Sequence, residues 1–226
     1  MKIGIIIAME SEYNRVSQLI GGNSEGELNG NYLILRHCGI GKVNAAIGAM
    51  ELITEHHPDC IISTGVAGGI DGRLRVMDVV ASAQLVYHDV WCGEGNDYGQ
   101  IQGLPGRFEG DKTLVVSALD LNDELQGMPT IHAGLICTGD QFITNRQELD
   151  KIKSSFPEGL AVDMESCAIA HTCYKYDVPF VSFRIISDTP GATDDHCAQW
   201  NDFWATLGDT SFKVIHMYLN NLPNSL

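Results

Sequence analysis

Two apolar runs in the last third of the chain limit its fold more than any other feature. The first run ends just before Glu165, and a helical pattern follows it at residues 166–170. The second run, at residues 180–186, ends just before Asp188. Because ligands of open α/β sheets bind beyond the carboxyl ends of the strands, both acids fall at site-forming positions. If the two strands are neighbours in a sheet, Glu165 and Asp188 face one pocket.

Apolar runs and helical patterns alternate along most of the chain. Further strands are predicted at residues 2–8, 31–38, 60–63, 78–86 and 131–137. Helices are predicted up to Ile20, at residues 43–54, after Asn145, and from about residue 201 to 222. The alternation predicts one three-layer αβα domain over residues 1–226, with a mixed, largely parallel central sheet.

Three segments contain unusual glycine patterns. Residues 64–69 follow a short strand and are predicted as a glycine-rich turn, where the backbone can approach a ligand closely. Residues 39–42, Gly-Ile-Gly-Lys, superficially resemble a phosphate-binding loop, but Val43 stands where Ser or Thr would bind magnesium. Residues 90–108 contain five glycines and a proline, without helical or strand periodicity. So long a loop indicates a functional or interface segment.

Charge and cysteine content exclude several classes of protein. The chain has 14 Lys and Arg against 29 Asp and Glu, a formal charge of -15, which disfavours nucleic acid as a partner. The seven cysteines are scattered and never in a C-x-x-C spacing, which favours reduced thiols. The apolar run at residues 3–9 is too short for a secretory signal or a membrane span. We therefore expect a cytoplasmic protein without a membrane partner.

A metal site is the alternative interpretation of two histidines. His88 and His196 are candidate ligands, the latter within residues 194–197, Asp-Asp-His-Cys. No spaced set of partner ligands accompanies them, so we expect solvated loops and predict no metal or other cofactor. Cys167 lies beside the apolar residues 168–170, which favours a place in a helix core over a nucleophilic role.

Seven short motifs carry a family resemblance. They are IIIAMESE at 5–12, GIGKVNAA at 39–46, STGVAGGI at 63–70, YHDV at 87–90, TGDQFI at 138–143, VDMES at 162–166 and VPFVSFRIISD at 178–188. In this order they resemble the 5'-methylthioadenosine/S-adenosylhomocysteine nucleosidases, within the purine nucleoside phosphorylase superfamily. Each motif is short, but seven in register over nearly the whole chain form a specific signal.

The resemblance implies a fold, an assembly and an activity. It implies a nucleoside phosphorylase-like αβα sandwich, a homodimer, and hydrolysis of the bond between adenine and a 5'-substituted ribose. Asp188 looks like the acid that serves N7 of adenine, Glu12 like the base that activates water, and Glu165 like the group that holds the ribose hydroxyls. Residues 90–108 of one subunit would lie near the active site of its partner.

The resemblance also implies a set of substrate-binding residues. Arg184 would lie near the attacking water, and Phe142 with Ile143 would line the adenine site. The remaining members would border the sugar, form the glycine-rich wall or complete the pocket: Met9, Ile40, Val66, Ala67, Gly68, Met164, Ser187 and Trp200.

The chemistry explains why three acids are needed. Breaking the bond between ribose and adenine leaves a cationic sugar and an electron-rich base. An acid beside the base must stay protonated near neutral pH, which requires a pKa raised by burial or by a neighbouring carboxylate. A second carboxylate can stabilise the sugar cation and bind two hydroxyls, and a third can take a proton from water. Asp188, Glu165 and Glu12 fit these tasks.

Three alternatives stay open on the sequence. Each acid could simply cap a turn or favour a helix start, although three acids at three strand ends are difficult to explain in this way. Arg15 and Arg184 are compatible with a phosphorylase, but the carboxylate of Glu12 would repel a phosphate dianion. A noncatalytic nucleoside-binding protein would be expected to have lost one of the acids.

Two departures from the family pattern concern the substrate. Asp163 replaces the Glu that often precedes the Met-Glu pair, and this shortens one supporting contact. Residues 90–108 offer Trp91, Cys92 and polar side chains where family members commonly offer aliphatic and aromatic groups to the 5' substituent. The polar segment favours S-adenosylhomocysteine or another polar 5' group over methylthioadenosine.

Overall fold

A mixed β-sheet of nine strands runs through the part of the chain that the structure describes. The computed structural model describes residues 1–126, 129–189 and 196–226, and gives no side-chain positions at 196–198 and 206–211. The strands are β1 (Lys2–Ile7), β2 (Glu25–Leu28), β3 (Asn31–His37), β4 (Cys60–Gly69), β5 (Val79–Tyr87), β6 (Phe108–Glu109), β7 (Ile131–Thr138), β8 (Gly159–Asp163) and β9 (Phe180–Asp188). Their order is β2-β3-β1-β4-β8-β7-β5-β6, and β9 pairs with both β4 and β5.

Helices connect most of the strands. They are α1 (Glu10–Ser17), which continues as a 3-10 turn (Gln18–Ile20), α2 (Lys42–His56), α3 (Lys112–Asp120), α4 (Asn122–Leu125), α5 (Arg146–Ser155), α6 (Ser166–Tyr176), α7 (His196–Asp202) and α8 (Gly208–Asn220). A π-helical turn, Phe203–Leu207, joins α7 to α8. Within the described ranges, none of these helices combines the length and the apolar character that crossing a membrane would require.

The position of β1 explains why its sequence is apolar without alternation. β1 pairs in parallel with β3 on one side and with β4 on the other. Ile5 packs on one face, in a cluster that includes residues of α1, α3 and α8, whereas Ile6 packs on the opposite face with residues of α2 and α6. Because helices cover both faces, residues 3–7 are all buried.

Five strands close into a barrel-like ring. β4 pairs with β8 and β9, β7 pairs with β8 and β5, and β5 also pairs with β9. The prediction of a mixed sheet in an α/β fold is confirmed. The sheet is not a simple flat layer, however, and only five of the nine pairings between described strands are parallel. A shift of register between Ala67 and Gly68 bends β4 where the ring closes.

The glycine-rich segment at residues 64–69 belongs to a strand, so its prediction as a turn was wrong. β4 continues to Gly69, and its last two residues pair with Val162 and Ala161 of β8. Gly68 also pairs with Asp188 of β9. Glycines lack the side chains that would crowd a strand at such a bend, and this is why a strand can contain them here.

Strand β8, which precedes Glu165, and strand β9, which ends at Asp188, are not neighbours in the sheet. The condition under which the sequence predicted a shared pocket is therefore not met. β4 lies between β8 and β9 and pairs with both.

The last helix also differs from its prediction, because it begins at His196, contains the π-helical turn and ends at Asn220. β2, β6, α3 and α4 were not predicted. The Asp111 side chain, which accepts a hydrogen bond from the Leu114 N–H, is the capping signal that could have located α3.

Candidate active site

A cavity of about 320 Å³ lies at the carboxyl ends of the central strands. Its lining comprises Ala8, Met9, Glu12, Ile40, Val66, Ala67, Gly68, Gln141, Phe142, Ile143, Val162, Asp163, Met164, Glu165, Arg184, Asp188 and Trp200. All the residues predicted for the site line this cavity except Ser187. Sequence reasoning did not assign Ala8, Gln141, Val162 and Asp163 to the lining, although all but Val162 adjoin a residue that it did assign.

Glu12 enters the cavity from α1, directly after β1. Its carboxylate is buried and accepts hydrogen bonds from the backbone N–H groups of Val66, at 2.9 Å, and Met9, at 3.1 Å. Burial raises the pKa of Glu12 from 4.5 to about 7, against the opposing effects of Arg184 and of the two N–H donors. The group is therefore poised to exchange a proton near neutral pH.

Glu165 lies at the turn between β8 and α6. One carboxylate oxygen accepts a hydrogen bond from the Gly41 N–H at 2.9 Å, and the other lies 3.6 Å from Arg184 Nη2. Burial raises the pKa of Glu165; Arg184 lowers it and Asp163 raises it further. The carboxylate thus faces the cavity with a fixed orientation.

Asp188 is the last residue of β9 and is only 2% exposed. The hydroxyl of Ser187 donates a hydrogen bond to Asp188 Oδ1 at 2.6 Å, and it also lies 3.3 Å from the carbonyl oxygen of Ala67. Ser187 is fully buried and stays outside the cavity lining. Its contact is with the acid rather than with the cavity.

Arg184 is buried beside Asp163, Glu165 and Glu12. Its Nε lies 3.0 Å from Asp163 Oδ2, and its Nη2 approaches Glu165. Its remaining hydrogen bonds go to Ser63 Oγ, Thr64 O, Ser166 Oγ and Ser182 Oγ. A guanidinium that is 1% exposed is stable only with such partners, and here they fix its plane.

Asp163 joins three elements behind the cavity. Its Oδ1 accepts a hydrogen bond from the Thr138 hydroxyl at 2.5 Å, at the end of β7. Its Oδ2 accepts from the backbone N–H and the hydroxyl of Ser166, at the start of α6, and pairs with Arg184. The shorter side chain at this position is therefore fully engaged with its neighbours.

Aromatic side chains close the cavity on the side of the last helices. The ring centroids of Phe142 and Trp200 lie 5.6 Å apart, nearly edge to face, and Trp200 contacts Trp204 in the same way. Phe142 is 51% exposed, whereas Ile143 beside it is buried. A planar ligand could therefore enter between an aromatic rim and an apolar floor.

His88, one of the two candidate metal ligands, belongs to no group of three possible ligands among the described residues. In the described parts of the chain, no three His, Cys, Asp or Glu side chains lie where they could hold one ion. His88 is buried against Gly139, contrary to the solvated loop expected for it, and burial lowers its pKa. Asp194 and Asp195 lie outside the described residues, as do the side chains at 196 and 197.

Cys167 lies in the core, where α6 packs on the sheet. It is fully buried, and burial raises its pKa well above the usual value for a thiol, with a further contribution from Asp163. A thiol held in its neutral form is a poor nucleophile.

Comparisons with known proteins identify the family of this chain. A family model described as the phosphorylase superfamily matches residues 2–220. The 5'-methylthioadenosine/S-adenosylhomocysteine nucleosidase of Colwellia psychrerythraea, solved with adenine, is 32% identical, covers 100% of this chain and 97% of its own, and has a TM-score of 0.92.

Two further solved structures are similar over the same span. The S-adenosylhomocysteine nucleosidase of Streptococcus pyogenes, solved with 5-methylthiotubericidin, is 34% identical, with 99% and 98% of the two chains covered and a TM-score of 0.90. The 5'-methylthioadenosine/S-adenosylhomocysteine nucleosidase of Neisseria meningitidis, solved with methylthio-immucillin-A, is 34% identical, with 98% and 99% covered and a TM-score of 0.89.

The ring of strands and the cavity at its carboxyl edge are thus those of an α/β fold of the phosphorylase superfamily. Within it, the chain belongs to the 5'-methylthioadenosine/S-adenosylhomocysteine nucleosidase family, as the resemblance of its motifs predicted. It is accordingly an enzyme of the N-glycosyl hydrolase class.

Proposed function

We propose that this enzyme hydrolyses the N-glycosidic bond of 5'-modified adenosines, namely 5'-methylthioadenosine and S-adenosylhomocysteine, and releases adenine. The observation that carries the proposal is the convergence of three buried carboxylates, from Glu12, Glu165 and Asp188, on one cavity. The complexes of similar nucleosidases with adenine and with methylthio-immucillin-A support it.

Asp188 is the proposed proton donor to N7 of adenine. As the bond to the sugar breaks, its electrons move into the purine ring, and a proton on N7 neutralises that charge. The hydrogen bond from Ser187 holds one oxygen of Asp188, which makes Ser187 a positioning residue. Phe142 and Ile143 are proposed to hold the purine plane beside this acid.

Glu12 is the proposed base. Its raised pKa suits a group that takes a proton from water at neutral pH and so makes the water nucleophilic. The water would attack the sugar carbon from which adenine departs. Val66, whose N–H binds Glu12, belongs with Ala67 and Gly68 to the wall that faces this step.

Glu165 is proposed to bind the ribose hydroxyls and to stabilise the cationic sugar. A carboxylate beside a developing oxocarbenium ion lowers its energy, and two carboxylate oxygens match two neighbouring hydroxyls. Met9 and Met164 border the same part of the cavity. Ile40 closes this side.

Water is favoured over phosphate as the nucleophile. A phosphorylase would use Arg184 to bind phosphate, but the hydrogen bonds of this guanidinium already go to serine hydroxyls and to the Thr64 carbonyl. Asp163 and Glu165 pair with its charge. A phosphate dianion placed among these carboxylates would be repelled.

A cleft next to the cavity is the proposed path of the 5' substituent. It is lined by Met9, Ser11, Arg15, Trp200 and Trp204, and it shares Met9 and Trp200 with the main cavity. Its polar members suit a polar 5' group such as homocysteine. Relative kcat/KM for S-adenosylhomocysteine and methylthioadenosine measures this preference.

A homodimer is proposed as the working form. Val43, Ile47 and Met50 form an exposed apolar stripe along α2, and Trp91 in the segment 90–108 is 58% exposed. Apolar side chains that lie together on a surface are typical of an interface. The segment would then approach the 5' end of the partner's site.

Replacement of the proposed acid tests the function. Asp188→Asn removes the transferable proton but keeps the size of the side chain, so adenine release should fall by about 10²–10⁴-fold in kcat. Adenine formation from methylthioadenosine is followed by chromatography, with thermal melting as the test of folding. The matched control is Asp120→Asn, at an exposed acid that ends α3.

Two results would contradict the proposal, one for the role of Asp188 and one for the reaction itself. Near-normal turnover by Asp188→Asn would show that another group protonates adenine. Absence of adenine release by the unaltered protein, with tight binding of the nucleoside, would indicate a binding protein instead.

A further inference from the structure

The Gly-Ile-Gly-Lys segment that resembles a phosphate loop makes a different set of contacts. Lys42 Nζ lies 2.8 and 2.7 Å from the two carboxylate oxygens of Asp89. The backbone N–H of Lys42 donates to Asp140 Oδ1 at 2.8 Å, and the N–H of Asp140 donates to Asp89 Oδ2 at 2.9 Å. We call Lys42, Asp89 and Asp140 the lysine bridge.

The lysine bridge joins three loops at the carboxyl edge of the sheet. Lys42 follows β3, Asp89 follows β5 and Asp140 follows β7. Strand β3 is separated from β7 in the sheet by β1, β4 and β8, so the bridge connects parts of the edge that no strand pairing joins directly.

The ion pair between Lys42 and Asp89 is largely shielded from solvent, whereas the Asp140 side chain is 47% exposed. The side chains of Lys42 and Asp89 are only 21% and 18% exposed, and Lys42 Nζ lies 5.4 Å from the centre of the Tyr87 ring. Burial raises the pKa of Asp89, but the hydrogen bonds and charge of Lys42 and the N–H of Asp140 lower it more, so the net shift is downward. An ion pair in this setting is screened less than an exposed one.

Each end of the bridge is attached to a different wall of the cavity. On one side, the residue before Lys42 is Gly41, whose N–H binds Glu165 Oε1 at 2.9 Å. On the other side, Asp140 directly precedes residues 141–143, which line the cavity. A Cβ at Gly41 would lie 3.2 Å from Asp140 Oδ1, a tight contact, so the two walls approach each other closely here.

We propose that Lys42, Asp89 and Asp140 are positioning residues that hold the Gly41 N–H against Glu165 and keep residues 141–143 at a fixed distance from it. The lysine bridge thereby sets the distance between Glu165, which is proposed to bind the sugar, and residues 141–143, which are proposed to bind the base. This inference rests on the proposed function for the roles of these walls. A shift of about 1 Å in such a contact is enough to change binding and rate.

Binding of methylthio-immucillin-A, measured by calorimetry, tests the bridge together with kcat/KM for adenine release. Lys42→Met removes the cation and keeps the aliphatic stem, and it should raise the Kd roughly tenfold and lower kcat/KM by at least as much. Lys42→Arg keeps the cation and should stay within about threefold of the unaltered protein. Arg146→Met is the matched control, because it removes an exposed pair with Asp150 inside α5.

A double-mutant cycle separates positioning from a general loss of stability. If Lys42 acts through Gly41 and Glu165, then Lys42→Met should add less than about twofold to the Kd once Glu165→Ala, which removes the acceptor of the Gly41 N–H, is present. An equal loss with and without Glu165→Ala, or no loss in either, overturns the proposal. So does a Lys42→Arg variant as weak as Lys42→Met.

A second pair of variants is available if Lys42→Met does not fold. Asp140→Asn keeps an oxygen that can accept the Lys42 N–H, whereas Asp140→Ala does not. The expected loss of affinity is roughly tenfold for Asp140→Ala and below about threefold for Asp140→Asn. Equal effects overturn the proposal. The affinity measurement does not require turnover, so a failure to release adenine would reject the proposed function and leave the bridge testable.

Discussion

Glu12 illustrates how the surroundings of one side chain set its reactivity. Its carboxylate is buried, and burial raises its pKa to about 7 although Arg184 and two backbone N–H groups favour the ionised form. A base whose pKa lies near the working pH is both available and able to accept a proton. The first strand and helix therefore deliver a group suited to activating water.

The pH dependence of adenine release should follow the ionisation of Glu12. Only the ionised carboxylate can accept a proton, and its pKa is raised from 4.5 to about 7. We expect kcat/KM to fall roughly tenfold per pH unit on the acid side of this value. A profile from about pH 5 to 9, with melting curves at each pH, checks this. A flat acid side would contradict the assignment of Glu12 as the base.

Gly65 lies between the charged groups of Glu12 and Arg184. Its φ is +143°, and a Cβ there would lie 2.7 Å from Glu12 Oε1 and 2.8 Å from Arg184 Nη1. Gly65→Ala should therefore displace both groups, lower kcat/KM by roughly 10²-fold and cost roughly 1–3 kcal/mol of stability. Adenine release and thermal melting measure the two effects.

Gly72→Ala is the matched control for that variant. A Cβ at Gly72 would have no heavy atom within 4 Å, so activity and melting temperature should be unchanged. Similar losses in the two variants would mean that crowding between Glu12 and Arg184 is not the cause.

The sequence could predict the acids of the site but not their supports. Glu12, Glu165 and Asp188 each follow an apolar strand, and that local pattern is visible in the printed chain. The contact of Gly41 with Glu165 joins residues that are 124 positions apart. No local pattern encodes such a contact, because it depends on how distant strands are ordered in the sheet.

At the scale of elements, buried strands were predictable and edge elements were not. β1 and β9 are rich in apolar residues and almost entirely buried because both faces are covered, and their runs were recognised. β2 has only four residues, with an alternating pattern of exposure, so its signal is weak. The glycines of β4 suggested a turn, but the strand can contain them because the ring of strands closes there. Closure of the ring is a property of the whole sheet, so the local sequence does not reveal it.

Helix α2 should carry the contact between subunits of the proposed dimer. Val43 is 70% exposed, and with Ile47 and Met50 it forms a stripe at helical spacing. Val43→Glu places a charge in that stripe and should convert a dimer into monomers, as measured by light scattering after size-exclusion chromatography. The matched control is Val116→Glu on α3, at an apolar residue that is 53% exposed. An unchanged dimer in both variants would exclude α2 from the interface.

At the scale of the whole molecule, closure of the ring brings together acids from strands that do not pair. β4 lies between β8 and β9, and Gly68 pairs with residues of both. With no side chain at Gly68, Glu165 and Asp188 can reach the same cavity from either side of it. The sequence predicted that these acids would converge but not the strand order that brings them together.

The charge of the whole chain also bears on the choice of nucleophile. With a formal charge of -15, the protein repels phosphate dianions over its surface as well as within the cavity. Methylthioadenosine is neutral and water is abundant, so neither is affected by this field. The electrostatics at large and small scale thus favour hydrolysis.

The identity of the group that attacks the sugar is the most direct test of this account. Methylthioadenosine is incubated with the protein with and without phosphate, and the sugar product is identified by mass spectrometry. We expect adenine and free methylthioribose, formed at the same rate in both buffers, because water is the nucleophile. A sugar 1-phosphate, or adenine release that requires phosphate, would contradict the account.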